Sequence, residues 1–183
     1  MVANAKCWNC KNWIRKNQFF CSHCKKVQPP NFRNEFELLD IEKKYDINLD
    51  DLENKYLKLQ QQLHPDKFSS LSEKEIKYST LASSTVNDAY KKLFNSVSRA
   101  NLLLNLQGFN SIFEDKSYSD VEVLKEIMDI QNKCMEITDE DSKKSVLDEL
   151  NIYISETTNY ISSSFDTKEY ENVKKLTIKL NYL

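Results

Sequence analysis

Residues 48–94 run NLDDLENKYLKLQQQLHPDKFSSLSEKEIKYSTLASSTVNDAYKKLF, and their reading decides the fold. Asn48 is a good helix cap, because its side-chain oxygen accepts from the free amides of a first turn. Beyond it Leu52, Tyr56, Leu59 and Leu63 recur at steps of four, three and four, which places them on one helical face. That helix must stop at Pro65, since the residue before a proline resists the α conformation. A second long helix is expected from Ser72, with Glu75 three places on completing a capping box. Its core stripe is expected to be Leu81, Ala82, Val86, Ala89, Tyr90, Leu93 and Phe94. Two amphipathic helices joined by a short exposed loop make an antiparallel hairpin, and the loop carries His64-Pro65-Asp66.

Upstream of this hairpin, Phe36–Tyr45 reads as a short helix. The whole of 34–108 reads as helical periodicity interrupted once, at His64-Pro65-Asp66. Downstream, Gly108–Ser119 reads as a connecting loop. Three further helices are expected at about Ser119–Thr138, Asp141–Ser163 and Thr167–Leu183, the first opening on a capping box of Ser119 and Glu122. Loops of a few residues make such neighbours antiparallel, hence a small bundle. Composition agrees. The 183 residues include one glycine and three prolines, whereas sheet proteins need these at many turns. Apolar residues at 40% supply a core, and charged residues at 30% supply a solvated surface. No apolar run approaches the roughly 20 residues a membrane span needs, so no membrane partner is expected. Six residues precede the first cysteine, too few for a mitochondrial transit peptide, which is therefore expected to be absent or already removed.

The first 30 residues are different in kind. Cys7-x-x-Cys10 and Cys21-x-x-Cys24 are matched pairs ten residues apart, and the segment closes on Pro29-Pro30, a stiff extended linker. Two such pairs complete a tetrahedron around a metal ion. Thiolates in a site without evident redox chemistry suit zinc. Two disulfides or a rubredoxin-type iron are the alternatives. Thirty residues bury too little to fold alone, so the metal would supply the folding free energy. Four protein ligands leave no open position, so one structural zinc per chain is expected. His23 is expected to face solvent, and Cys134 to be an ordinary, partly buried thiol. Net charge is −2 overall but uneven: residues 1–30 carry six Lys or Arg and no acid, while 114–183 carry 16 acids against nine lysines. The basic start reads as solvated lysines around a metal site rather than as a nucleic-acid surface.

His64-Pro65-Asp66 suits recognition rather than catalysis. His64 has no base or nucleophile beside it in sequence, and a proline lowers the entropy lost when a loop is bound. On the preceding helix Lys55, Lys58 and Gln62 line one flank of the core stripe.

A hairpin of this kind with His-Pro-Asp at its tip resembles the J-domain. The resemblance extends through His64-Pro65-Asp66-Lys67-Phe68, Val86-Asn87-Asp88-Ala89-Tyr90, Ser98-Arg99-Ala100 and Leu102-Leu103-Leu104-Asn105-Leu106-Gln107-Gly108. Together these are similar to the HscB family, with the yeast Jac-type proteins, which are J-domain co-chaperones of iron–sulfur cluster assembly. Val123-Leu124-Lys125-Glu126-Ile127-Met128-Asp129-Ile130 looks like the family's first C-terminal helix. Cys7-Trp8-Asn9-Cys10 with Phe20-Cys21 resembles the leading block of animal-type members.

The resemblance implies an all-α fold: a zinc-binding unit at 1–30, a J-domain hairpin within 34–108, and a C-terminal three-helix bundle at 119–183. It implies that His64, Pro65, Asp66, Lys55 and Lys58 meet a DnaK-class chaperone and stimulate its ATPase. Leu124, Met128, Asp129, Asn132, Glu136 and Tyr182 would bind the iron–sulfur cluster scaffold protein. Leu124 and Met128, four apart, share a face; the alternative is that both fill the bundle core, a position for which Val123 and Ile127 compete. Lys125 and Asn132 depart from the family pattern, where many members have an apolar residue and an acid. No active site of its own is expected, and the family implies a mitochondrial location, a cytoplasmic one being the alternative. Other readings are a general J-domain adaptor for another client, a zinc-finger nucleic-acid binder, and a thiol redox protein.

Overall fold

The structure is a computed structural model that describes residues 4–111 and 121–183. Strands β1 (Asn4–Lys6) and β2 (Trp13–Arg15) pair antiparallel, with Lys6 opposite Trp13 and Ala5 opposite Ile14. Seven α-helices follow among the described residues: α1 (Glu35–Leu38), α2 (Leu49–Leu63), α3 (Glu73–Phe94), α4 (Ser96–Leu106), α5 (Val121–Met135), α6 (Glu140–Asp166) and α7 (Tyr170–Tyr182). The fold is all-α as expected, its two short strands confined to the cysteine-rich segment. No described helix is long and apolar enough to cross a membrane. The chain divides into two compact units, Met1–Asn95 and Ser96–Leu183.

In the first unit α2 and α3 form the central hairpin. Asn48 caps α2, its Oδ1 accepting from the Asp51 amide at 2.9 Å, and His64 ends it before Pro65. Leu52 and Leu63 from α2 meet Ala82, Val86, Ala89 and Leu93 from α3 in a closed core. Leu81 and Phe94, expected in that stripe, are exposed instead. At roughly 100° per residue they stand a quarter-turn outside the arc that holds the buried four. Beside the apolar seam runs a polar ladder. Tyr56 Oη and Gln60 Nε2 both donate to Asn87 Oδ1 at 2.8 Å, and Ser83 Oγ donates to Gln60 Oε1 at 2.8 Å. Tyr56 stacks on Tyr90 with ring centroids 4.2 Å apart.

Three local expectations are corrected. The helix predicted over Phe36–Tyr45 is only Glu35–Leu38. It ends in a Schellman turn, with the Ile41 amide donating to the Phe36 carbonyl and Asp40 at φ 55°; this left-handed cap usually announces itself by a glycine, and here it does not. The helical run after Ser72 is itself broken, because Asn95 is extended (ψ 122°) and separates α3 from α4. The capping box at Ser72 is half made: the Glu75 amide donates to Ser72 Oγ, but the Glu75 carboxylate accepts from the Ser72 hydroxyl rather than from its backbone.

The second unit joins α4 to the three C-terminal helices. Ala100, Leu103 and Leu104 of α4 are buried, as are Val123 and Ile127 of α5, Ile161 of α6, and Val173, Thr177, Ile178 and Leu180 of α7. Gly108, at φ 92°, closes α4 in a Schellman turn, and the same turn after α6 is made by Lys168 at φ 62°. Asp139 caps α6 in a full capping box with Ser142. The box expected from Ser119 and Glu122 lies outside the described residues. Cys134 is exposed rather than partly buried, because the end of α5 runs past the packed part of the unit.

Candidate functional site

His64-Pro65-Asp66 forms the tip of the α2–α3 hairpin. Pro65–Phe68 is one 3₁₀ turn, and the buried Phe68 ring anchors it. The side chains of His64 and Asp66 are 55% and 89% exposed. His64 Nδ1 accepts from the Asp66 amide at 3.4 Å and lies 3.5 Å from Asp66 Oδ2. With Nδ1 accepting, the neutral ring carries its proton on Nε2. The corner therefore offers a donor, a carboxylate and a rigid backbone to a partner.

Lys55 and Lys58 stand on α2, nine and six residues before His64. Lys55 is not free: it pairs with Asp51 at 3.0 Å and donates to the Asp40 carbonyl at 2.5 Å. The Asp51 carboxylate holds its ammonium above the usual lysine range. Lys58 is exposed and makes no ion pair among the described residues.

The four N-terminal cysteines come together, their sulfurs all within 4.8 Å of one another. Cys7 Sγ lies 3.7 Å from Cys24 Sγ, and Cys10 Sγ 3.7 Å from Cys21 Sγ. A tetrahedron with metal–sulfur bonds of about 2.3 Å has edges of about 3.8 Å, so the set fits one ion. Each pair is built as the same knuckle. Lys11 and Lys25, at φ 63° and 61°, donate their amides to the Cys7 and Cys21 carbonyls. Their ammonium groups fold back onto the carbonyls of Trp8 and Ser22. The Asn9 and His23 amides point at the first sulfur of each pair at 3.4 Å. The Lys26 amide and neighbouring donors lower the Cys24 thiol to about 6. The Asn12 amide acts the same way on Cys10, but burial and three thiol neighbours push Cys10 up to about 11. His23 is exposed, as expected. Cys7, Ile14 and Cys21 are the buried centre of the unit, so ligand sulfur makes up much of what little core it has.

Sequence reasoning missed how this unit is seated. Trp8 Nε1 donates to the Val27 carbonyl at 2.6 Å, and its ring meets Tyr78 of α3 edge-on at 5.9 Å, with Lys74 Nζ 4.8 Å over it. Lys26, expected among solvated lysines, instead pairs with both oxygens of Glu75 at 2.9 and 3.0 Å. Glu75 is 5% exposed at its side chain. Burial alone would raise its carboxyl, but Lys26 and Ser72 outweigh that and hold it below the usual range. The only sequence signal was Glu75 at a capping position, which concealed a partner 49 residues away.

On α5 the competition for the core is decided. Val123 and Ile127 are buried, while Leu124 and Met128 are 42% and 61% exposed. Asp129, Asn132 and Glu136 are exposed on the same helix or just past its end. Tyr182, also exposed, lies three residues beyond Lys179, which pairs with Glu126 of α5 and sits over the Tyr153 ring.

Comparison with known proteins identifies the arrangement. A family model described as the HSCB C-terminal oligomerisation domain matches residues 119–183. The human iron–sulfur cluster co-chaperone protein HscB is 35% identical over 97% of this chain and 77% of its own length, and the mouse protein is 34% identical over the same shares. The crystal structure of human co-chaperone protein HscB superposes with a TM-score of 0.89 at 34% identity, covering 97% of this chain and 92% of that one. The yeast Jac1 co-chaperone, at 21% identity and a TM-score of 0.68, shares the fold over 82% of this chain and 90% of its own. With a tetracysteine knuckle, an exposed His-Pro-Asp corner and near full-length likeness to these relatives, the chain belongs to the HscB family of iron–sulfur cluster co-chaperones.

Proposed function

We propose that the chain delivers an iron–sulfur cluster scaffold protein to a DnaK-class chaperone and stimulates that chaperone's ATPase. A J-domain over 34–108 docks on the chaperone through His64, Pro65 and Asp66, with Lys55 and Lys58 on its flank. The bundle at 119–183 holds the scaffold through Leu124, Met128, Asp129, Asn132, Glu136 and Tyr182. ATP is hydrolysed on the chaperone. This chain contributes shape and charge, which steer the encounter and make it salt-sensitive. The tetracysteine unit holds one zinc ion, because four thiolates close the coordination shell and suit a metal without redox chemistry. A mitochondrial location is part of this proposal, as the family resemblance implies.

The observation that carries this reading is the corner itself: His64 and Asp66 stand in solvent at the tip of a sealed helical pair. His64→Gln keeps a polar side chain at an exposed site and leaves the core alone. It is expected to abolish stimulation in a single-turnover ATPase assay while the circular dichroism melt stays unchanged. Stimulation retained by a folded His64→Gln protein would overturn the docking role.

A further inference from the structure

The two knuckles do more than surround a metal ion. Each sends one side chain to the same short stretch of α3. Trp8 lies between the ligands of the first pair and packs on Tyr78, under Lys74. Lys26 follows the second pair by two residues and pairs with Glu75. The two contacts are themselves linked, since Trp8 donates to the carbonyl of Val27, the neighbour of Lys26. Glu75 in turn accepts from the hydroxyl of Ser72, the cap of α3. Only Ser69, Ser70 and Leu71 separate that cap from the 3₁₀ turn that carries Pro65 and Asp66, and this turn packs on α3.

These contacts depend on the metal for a physical reason. The unit's buried centre is Cys7, Ile14 and Cys21, with Ala5, Cys10 and Cys24 around it. Two of these three centre residues are metal ligands, so the packed centre of the knuckles goes with the ion. Trp8 and Lys26 would then lose their positions, and the Glu75 carboxylate would be left in a site built to exclude water, without its cation. A buried charge in that state is relieved by opening the helix start around it. The first turn of α3 is thus the element that answers to metal occupancy.

We propose that the metal unit sets the position of the His64-Pro65-Asp66 corner by bracing the first two turns of α3 through Trp8–Tyr78 and Lys26–Glu75. Trp8, Lys26 and Glu75 are then positioning residues for chaperone docking; that part rests on the proposed function, whereas the brace itself does not.

Hydrogen exchange on the full chain, read by mass spectrometry of peptides, tests the brace without any chaperone present. The zinc-loaded protein is compared with the same protein after removal of metal by a chelator. Exchange over 64–78 is expected to rise at least about tenfold on metal removal, with α6 peptides unchanged. Lys26→Ala, checked to retain one metal per chain, is expected to raise exchange over 72–78 with the metal still bound. If the 5–28 peptides open on chelation while 64–78 keep their protection, the brace is refuted. If Lys26→Ala leaves 72–78 fully protected, the Lys26–Glu75 link is refuted. A brace seen by exchange in a protein that fails to stimulate any chaperone would count against the proposed function alone.

Discussion

The protein contains two antiparallel helical hairpins that differ in how their facing sides are filled. In α2–α3 the seam is sealed: Leu52, Leu63, Ala82, Val86 and Leu93 have almost no contact with water, and a polar ladder from Tyr56 to Ser83 runs alongside. In α5–α6 the facing sides are less completely filled. Between them lies a cavity of about 180 Å³ floored by Ile130, Val146, Leu150 and Tyr153. Met128, Met135, Leu147 and Ile152 face outward near it. Leu57, Leu81 and Phe94 of the first hairpin are exposed as well, so the difference lies between the helices: hydrophobic burial is non-directional, and a seam that leaves a cavity gives up stability that a sealed one keeps. The first hairpin has to hold a tip of three residues in one shape. The second keeps its apolar surface available.

The largest effect expected from this contrast is in the sealed seam. Leu93→Ala should cost on the order of 2–5 kcal/mol, measured by urea unfolding of the first unit's helices. A cost below that of an ordinary surface substitution would show that the α2–α3 seam is not the stabilising core. Next comes the open face. Leu124, Met128 and Tyr182 changed together to alanine should weaken scaffold binding by about 2 kcal/mol or more, roughly 30-fold, by isothermal titration. The melt should hardly move, because each change removes a half-exposed group. A large drop in stability with binding intact would make these residues structural. The smallest effect separates the caps. Asp139 is held below its ordinary value of 3.8 by the Ser142 amide and hydroxyl. A lowered folded pKa means the cap bond is complete above 3.8 and is lost only as pH falls through the lower value. The Ser142 amide shift should titrate there by NMR, while the Asp51 amide on the neutral Asn48 cap should not. A Ser142 amide that follows the ordinary carboxylate range would show the Asp139 cap is not formed.

Where local chemistry was enough, the fold was legible from residues alone. Asn48 and Pro65 bracket α2 because a cap and a missing amide act on adjacent backbone. The cysteine spacing was legible because a metal needs ligands at fixed short intervals. The ends of α1 and α6 were not, since Asp40 and Lys168 adopt left-handed caps without the glycine that marks them. Nor was the break at Asn95: an asparagine can end a helix, but it also occurs inside one, and the apolar pattern continues past it through Val97 and Ala100.

The amino-acid order alone thus determined the paired helices, their His-Pro-Asp tip and the four-thiol metal set, because periodicity, caps and ligand spacing act over a few residues. Only the tertiary structure decided that Lys26 finds Glu75, that Trp8 lies on Tyr78, and that Val123 and Ile127 enter the core while Leu124 and Met128 stay out. Those outcomes depend on which surfaces meet across distant parts of the chain, and a one-dimensional pattern carries no record of them.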